Sequence, residues 1–333
     1  MKKNYYKRDI MRKNSPITVL LCSYNGSRYI QEQIDSILNQ TYWNDFCRLL
    51  ICDDNSTDNT VSLVNSVAEG KKNIQLIHNT SDFSGAAANF SHALNFITDS
   101  YVLFCDQDDY WYPNKIEILM NKILTMEAKF GQVPLLVFSD LEVVDENLYQ
   151  ISKSFLDYQH ISEKWRKSFK NLLMQNLAPG CSMLLNPILC NKVTPIPMGV
   201  AMHDWWVILI ARAFGNVGFV SKSLVKYRQH SNNEVGAKNI RLFSVLKNIG
   251  PFLENSKANL QKQSTQAKLL ISHYEVELKE RLSSDDFQSL QILSNWGGLS
   301  RYERLRALFS GKLNKNTRLR NLGLFFLCLK GYK

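Results

Sequence analysis

Long hydrophobic runs are missing from this 333-residue chain. Apolar stretches such as Leu135–Phe138 and Leu324–Leu329 fall far short of the roughly 20 residues a bilayer-spanning helix needs, so no span is expected. The N-terminus, Met1–Ser15, is polar and basic and lacks the apolar core that follows the charges of a signal peptide, so export is not expected either. Cysteine is scarce and unpaired. Cys22, Cys47, Cys52, Cys105, Cys181, Cys190 and Cys328 form an odd set without a C-x-x-C pair, and most lie in apolar strand-like runs. They read as reduced core residues of a cytosolic protein. Two phosphate-binding signatures are also absent: G-x-G-x-x-G after the first strand and G-x-x-x-x-G-K-[ST] anywhere, which removes the main support for nicotinamide or ATP-hydrolysing chemistry. Zinc-finger spacing, an aromatic RNP-like strand and a basic helix with a heptad zipper are missing too, so no nucleic-acid partner is expected despite a net charge of +10.

What is present is a chain 45% hydrophobic and 21% charged, enough to bury a sizeable core. Its charge is unevenly divided: residues 1–16 carry six Lys/Arg against one acid, 17–220 fourteen against twenty-one, and 221–333 twenty against eight. A basic arm, an acidic middle and a basic end suggest different jobs for the three segments.

From Ile17 the sequence alternates short β-rich runs with helical spacing, the pattern of a parallel α/β sheet. Strands are predicted at Ile17–Cys22, Arg48–Cys52, Ile74–Ile77 and Tyr101–Cys105. Helices fall between them, one carrying Ile30, Ile34 and Ile37, one starting near Asp58 as its cap, and one over Ala86–Ile97. Beyond Pro113 a helix to about Lys129 and strands near Leu135–Ser139 and Met183–Leu185 continue the domain. Asn186–Val200, with three prolines and a glycine, reads as a loop, Val207–Phe214 as a helix, and Val217–Val220 with Leu224–Tyr227 as a last pair of strands. Lys/Arg-rich amphipathic helices take over after a boundary near 235.

In open α/β sheets ligands sit beyond the carboxyl ends of the strands. Those ends read Ser23-Tyr24-Asn25, Asp53-Asp54-Asn55-Ser56 and Asp106-Gln107-Asp108-Asp109. Clustered carboxylates are costly without a cation or a donating ligand. Asp106 and Asp108, two residues apart, can share one space, and hard oxygen ligands suit Mg²⁺ or Mn²⁺ with a diphosphate completing the shell.

These strings, followed in order by Gly85 with Asn89-Phe90, His203-Asp204-Trp205-Trp206 and Tyr227-Arg228-Gln229-His230, resemble family 2 glycosyltransferases over residues 16–235. Within that family the chain is most similar to bacterial polysaccharide rhamnosyltransferases and their hexosyltransferase relatives. The resemblance implies an α/β GT-A fold, a Rossmann-like mixed, mostly parallel sheet flanked by helices, over 17–235, with an N-terminal arm over 1–16 and a helical extension over 236–333.

The resemblance also implies roles. Ser23, Tyr24, Asn25, Asp54, Ser56, Gly85, Asn89, Asp106 and Arg228 would bind the nucleotide sugar. Tyr24 and Asp54 would receive the base, Asp54 accepting the imide N–H that uracil and thymine have and cytosine lacks. Asp106 would approach the ribose or a metal-bound water, Asp108 would ligate the metal directly, and His230 would meet metal or diphosphate. Arg228 offers a bidentate phosphate fork. Asp204 would take the proton from the attacking hydroxyl in an inverting transfer. His203 stands where the family usually has an acid, and one of Trp205 and Trp206 would contact the acceptor while the other fills the core. The implied donor is dTDP-rhamnose, with a UDP-hexose such as glucose or galactose as alternative. The implied acceptor is a saccharide, in one form polyprenyl-diphosphate-linked, in surface polysaccharide assembly.

Residues 301–333 interleave nine Lys/Arg and one acid with Leu305, Leu308, Phe309, Leu313, Leu322, Phe325, Phe326 and Leu329, a pattern suited either to an anionic membrane surface or to packing on the domain. The expected location is cytoplasmic, peripheral at the inner face of the plasma membrane, and helices over 252–293 offer a homodimer as a further possibility. Two rival readings stand beside this one. A sugar-1-phosphate nucleotidyltransferase would want a glycine-rich basic loop where Ser23–Arg28 stands; an inactive nucleotide-sugar-binding scaffold would not need Asp106, Asp108 and Asp204 intact.

Overall fold

The computed structural model describes residues 15–162, 167–230 and 249–330. Most of the N-terminal arm and the boundary expected near 235 lie outside these residues. The described chain divides into two compact units: 15–154, 178–196 and 215–230 form one, and 155–162, 167–177, 197–214 and 249–330 the other. The second unit therefore takes two segments that the sequence reading placed within the catalytic domain.

The first unit is built on a nine-stranded sheet. Its first half runs β1 (Ile17–Ser23), α1 (Ile30–Leu38), β2 (Cys47–Asp53), α2 (Thr60–Ala68), β3 (Ile74–His78), α3 (Ala86–Leu94) and β4 (Tyr101–Asp106). Every residue of β1 is buried, which is why it reads as a continuous apolar run rather than an alternation. The short strand β5 (Tyr110–Trp111), α4 (Lys115–Phe130), β6 (Leu135–Val144) and β7 (Gln150–Ser152) follow. After α5 (Phe155–Tyr158) and α6 (Phe169–Met174) of the second unit, β8 (Met183–Leu185) and α7 (Pro187–Val193) return to the sheet. Then come α8 (His203–Phe214) in the second unit and β9 (Asn216–Arg228) in the first.

Strand order is β3-β2-β1-β4-β8-β6-β9-β5, with β7 on β6. The first four strands are parallel, and β8 is antiparallel to both β4 and β6. The chain steps outward from β1 through β2 to β3, then returns to place β4 on the other side of β1, so a topological switch point lies between β1 and β4. Register brings the strand ends level there: Cys22 is opposite Asp106, and Ser23 is opposite Asp53.

Two expectations are corrected. The Asn186–Val200 loop contains helix α7, because Asn186 caps it by accepting the Leu189 N–H and Pro187 opens it, where a missing N–H costs nothing. The expected pair of strands after 216 is one strand of 13 residues, β9; the polar Ser221-Lys222 is absorbed as a bulge where pairing jumps from Ser139–Val220 to Asp140–Ser223.

The second unit is helical. Besides α5, α6 and α8 it contains α9 (Ile249–Arg281), interrupted at Tyr274 by non-helical dihedrals, then α10 (Ser284–Ser294), α11 (Arg301–Phe309) and α12 (Arg318–Lys330). Ser300 and Glu303 close a capping box on α11. Trp206 of α8 packs against His273 and Tyr274 at the kink, and the Trp205 indole N–H donates to the Leu172 carbonyl at 2.6 Å. No helix among the described residues is long and apolar enough to cross a membrane.

Candidate active site

The loop after β1 is held from two sides. Four consecutive backbone N–H groups, at Tyr24, Asn25, Gly26 and Ser27, donate to Gln107 Oε1, Ser56 Oγ, Thr60 Oγ1 and Asp58 Oδ2 at 2.8–3.0 Å. Asn25 adopts a left-handed φ of 46° and its side-chain oxygen accepts the Thr57 N–H at 2.8 Å. The sequence reading took Asp58 for a helix cap. It does receive the Thr60 N–H, but Asn59 holds the cap position and the other Asp58 oxygen serves Ser27. Partial burial pushes the Asp58 carboxyl up, and hydrogen bonds from Thr60 and Ser27 outweigh it, leaving the group down at about 2.

The two neighbouring carboxylates at the end of β2 divide the work. Asp53 is fully buried and accepts from Ser23 Oγ, Ser56 N and Ser56 Oγ at 2.7–2.8 Å, so it pins the β1 and β2 loops together. Asp54 accepts from Asn79 Nδ2 and Gly85 N, both at 2.7 Å, and so shapes the loop after β3, where Gly85 takes a φ of 93° in open space. A carboxylate has lone pairs beyond these two bonds. Tyr24, by contrast, leaves its ring 56% exposed.

Three residues expected at the nucleotide are engaged by the protein's own groups. Ser23 is buried, with its hydroxyl on Asp53. Asn89 is buried, its amide donating to Cys52 O at 2.9 Å and bracing the ends of β1 and β2 from α3. Arg228 is 2% exposed, and its guanidinium, expected as a phosphate fork, donates to the carbonyls of Asp108 and Glu146 at 2.6 Å and pairs with Glu32. It buttresses the acidic turn from behind.

In that turn Asp106 is half-buried, Asp108 faces His230 with Oδ2 to Nε2 at 2.7 Å, and Asp109 is fully buried, accepting the Arg228 N–H at 3.0 Å. The His230 ring stacks on Tyr29 at 5.2 Å, and the Arg228 guanidinium covers the same tyrosine ring. Burial first, then the charges of Asp108 and Asp106, push the Asp109 carboxyl well up, and burial likewise raises the Cys181 thiol. Ligand atoms of Asp106, Asp109 and Cys181 lie within 4.8 Å of one another. A protonated thiol is a poor partner for a hard cation, so among these groups it is the Asp106 carboxylate, with Asp108 two residues on, whose chemistry suits Mg²⁺ or Mn²⁺.

Sequence reasoning missed Lys115 altogether. It is fully buried at the start of α4, donates to Cys181 O at 2.5 Å and lies 3.1 Å from the centre of the Trp111 ring. Desolvation drops it to about 7 against the opposing pull of Cys105, Cys181, Asp109 and Asp106. Gln107, Tyr29 and Glu32 were missed too. Only Gln107, lying inside an acidic motif, carried a local signal.

In the second unit Asp204 and His203 start α8 and are buried, as is Trp206, which is 1% exposed and belongs to the core. Trp206 is thus the member of the tryptophan pair that fills the core, and His203, next to Asp204 in sequence, is buried with it. Burial drops the His203 imidazole to about 3, so it is neutral. Trp205 is the partly exposed member of the pair.

The profile described as glycosyl transferase family 2 matches residues 18–189, just over half of the chain, and takes in the loops after β1 to β4 but not His203–Trp206 or Arg228–His230. The Escherichia coli UDP-Glc:alpha-D-GlcNAc-diphosphoundecaprenol beta-1,3-glucosyltransferase WfgD is 27% identical over 248 residues, covering 73% of this chain and 89% of that protein. The Shigella flexneri dTDP-rhamnosyl transferase RfbG is 26% identical over 245 residues, covering 69% and 78%. Among solved structures, Staphylococcus aureus TarS 1-349 in complex with UDP-GlcNAc superposes with a TM-score of 0.52 at 15% identity, covering 93% of this chain and 89% of TarS 1-349. The mannosyltransferase PcManGT of Pyrobaculum calidifontis, in complex with GDP-Man and Mn²⁺, gives 0.51 at 17%, covering 95% and 88%. The sheet order, the level strand ends with their acidic turn and the family profile lead to one conclusion: the chain belongs to glycosyl transferase family 2 and is a glycosyltransferase with the GT-A fold.

Proposed function

We propose that this enzyme moves a sugar, with inversion, from a uridine or thymidine diphosphate donor to a saccharide acceptor in surface polysaccharide assembly. The observation that carries the reading is that Tyr24, Asp54 and Asp106 stand at the level ends of neighbouring strands beside a topological switch point, with Asp108, two residues after Asp106, bonded to His230. The Tyr24 ring takes the base, and Asp54 accepts its imide N–H through a lone pair left over by Asn79 and Gly85. Asp106, Asp108 and His230 would hold Mg²⁺ or Mn²⁺, which when bound supplies Lewis-acid stabilisation of the leaving diphosphate. Asp204 acts as general base: the acceptor hydroxyl gives its proton to the carboxylate, its oxygen bonds to the anomeric carbon, and the bond from that carbon to the nucleoside diphosphate breaks.

The donor we favour is dTDP-rhamnose, supported by the likeness to RfbG. The second reading is UDP-glucose, supported by the likeness to WfgD, whose name also supports a polyprenyl-diphosphate-linked acceptor; the place that such an acceptor suits is the cytoplasmic face of the plasma membrane. A surface in the second unit suits that place. Tyr302, Arg306 and Phe309 form an exposed stripe on α11, and Leu322, Phe326 and Leu329 form one on α12. Phe325 joins them, its ring 6.2 Å from Phe309 and 6.0 Å from Phe326. Exposed aromatics beside Arg301 and Arg306, in a stretch with nine cations and one acid, suit an anionic headgroup boundary.

The test is transfer of labelled sugar from dTDP-rhamnose or UDP-glucose to a polyprenyl-diphosphate-linked acceptor. Asp204→Asn should lower kcat by at least 100-fold while leaving donor affinity intact. Wild-type turnover in that variant would remove Asp204 from the role of base.

A further inference from the structure

Gln107 stands between the two carboxylates of the acidic turn, yet its side chain does not join them. It turns to the loop after β1 and binds one residue on both sides of its Cα: Oε1 accepts the Tyr24 N–H and Nε2 donates to the Tyr24 carbonyl, each at 2.9 Å. A side-chain amide that pairs with the N–H and C=O of one residue copies the paired hydrogen bonds of an antiparallel β-ladder, and it fixes the two peptide planes that flank that residue. The residue it fixes carries the exposed Tyr24 ring. Gly26 shows how closely the clamp fits. A β-carbon there would lie 2.1 Å from Gln107 Oε1, and the glycine lies outside the left-handed region, so space rather than backbone conformation excludes a side chain.

We propose that Gln107 is a positioning residue that locks the Tyr24 loop to the acidic turn, holding the base-binding and diphosphate-binding ends of the donor site in one register. This rests on the reading of Tyr24 as the base shelf. Other side chains order the loop from the β2 side through Ser56, Thr60 and Asp58. The Gln107 amide adds a tie to β4, on the side where the diphosphate would lie.

Two variants reach the clamp from opposite sides. Gln107→Ala removes it, and Gly26→Ala expels it, because the obstructing atom is the mobile end of a side chain and can yield without moving the backbone. Calorimetry on the full chain with UMP and dTMP without metal probes the base end, and Mn²⁺ with pyrophosphate probes the other. Each variant should weaken nucleoside monophosphate binding about fivefold to tenfold, the loss of two neutral hydrogen bonds. Binding of Mn²⁺ and pyrophosphate should stay within about twofold, and donor KM should rise with kcat at saturation preserved. The double variant should be no weaker than Gln107→Ala alone, since the three atoms nearest a β-carbon at 26 all belong to the Gln107 amide. Monophosphate binding at wild-type strength in both single variants, additive losses in the double, or an equal loss at the metal end would overturn the proposal. A wild-type protein that binds neither monophosphate would instead overturn the donor reading beneath it.

Discussion

Adjacent side chains of one motif do different things in this enzyme, and their hydrogen-bond partners decide which. Asp53 and Asp54 are neighbours in sequence, but the first is sealed under Ser23 and Ser56 while the second borders the loop at Gly85. Asp53→Ala should therefore cost about 2–3 kcal/mol of stability, read as a shift in urea midpoint, by leaving Ser23 and Ser56 without their charged acceptor. Asp54→Asn should instead weaken uracil or thymine nucleotides. His203 gives a pH prediction. Its folded value of about 3 lies below the ordinary 6.5, so between those values the unfolded chain binds the extra proton and stability falls as pH falls from 6.5 towards 3. The slope is at most about 1.4 kcal/mol per pH unit from this residue, and His203→Asn should flatten it in urea titrations at successive pH values. Which motif residues cluster was legible in the sequence. Their directions were not: Ser23 adjoins the exposed Tyr24 and Asn25, and only the fold turns it, Asn89 and Arg228 inward. A fully buried lysine such as Lys115 has no one-dimensional signature, since its partners, Cys181 and Trp111, lie on different elements.

At the scale of elements, the strand-helix succession through β4 follows from apolar runs and helical spacing, and its boundaries sit within a residue or a few of those read from sequence. Two later elements resisted because the local signal and the tertiary one disagree. Three prolines suggested a loop where α7 forms, since proline is unfavourable inside a helix but suited to its first turn. The break read at Ser221-Lys222 is a bulge that only pairing with β6 reveals. Asn186 joins α7 to the sheet, capping Leu189 while also accepting the Leu135 N–H and donating to Val133 O. Asn186→Ala should cost about 2 kcal/mol in chemical denaturation, more than a solvent-exposed cap, because two of these bonds are made at the edge of β6.

For the whole molecule, the charge partition of the sequence separates an acidic donor-binding region from basic flanks. In flotation with phosphatidylglycerol vesicles, Phe309→Asp with Phe326→Asp should abolish binding, and raising salt from 0.05 to about 0.5 M should weaken the wild type. Unchanged flotation, or a dimer in solution that buries the same stripe, would remove the membrane from the account. The central claim, a donor site built for a uracil or thymine diphosphate, is tested most directly by calorimetric titration of UDP, dTDP, CDP and GDP in the presence of Mn²⁺. The account predicts that UDP or dTDP binds at least about tenfold more tightly than CDP, and that Asp54→Asn erases the difference, since one imide hydrogen bond to a carboxylate is worth about 1.5–3 kcal/mol. Equal binding of CDP and UDP by the wild-type protein would contradict it.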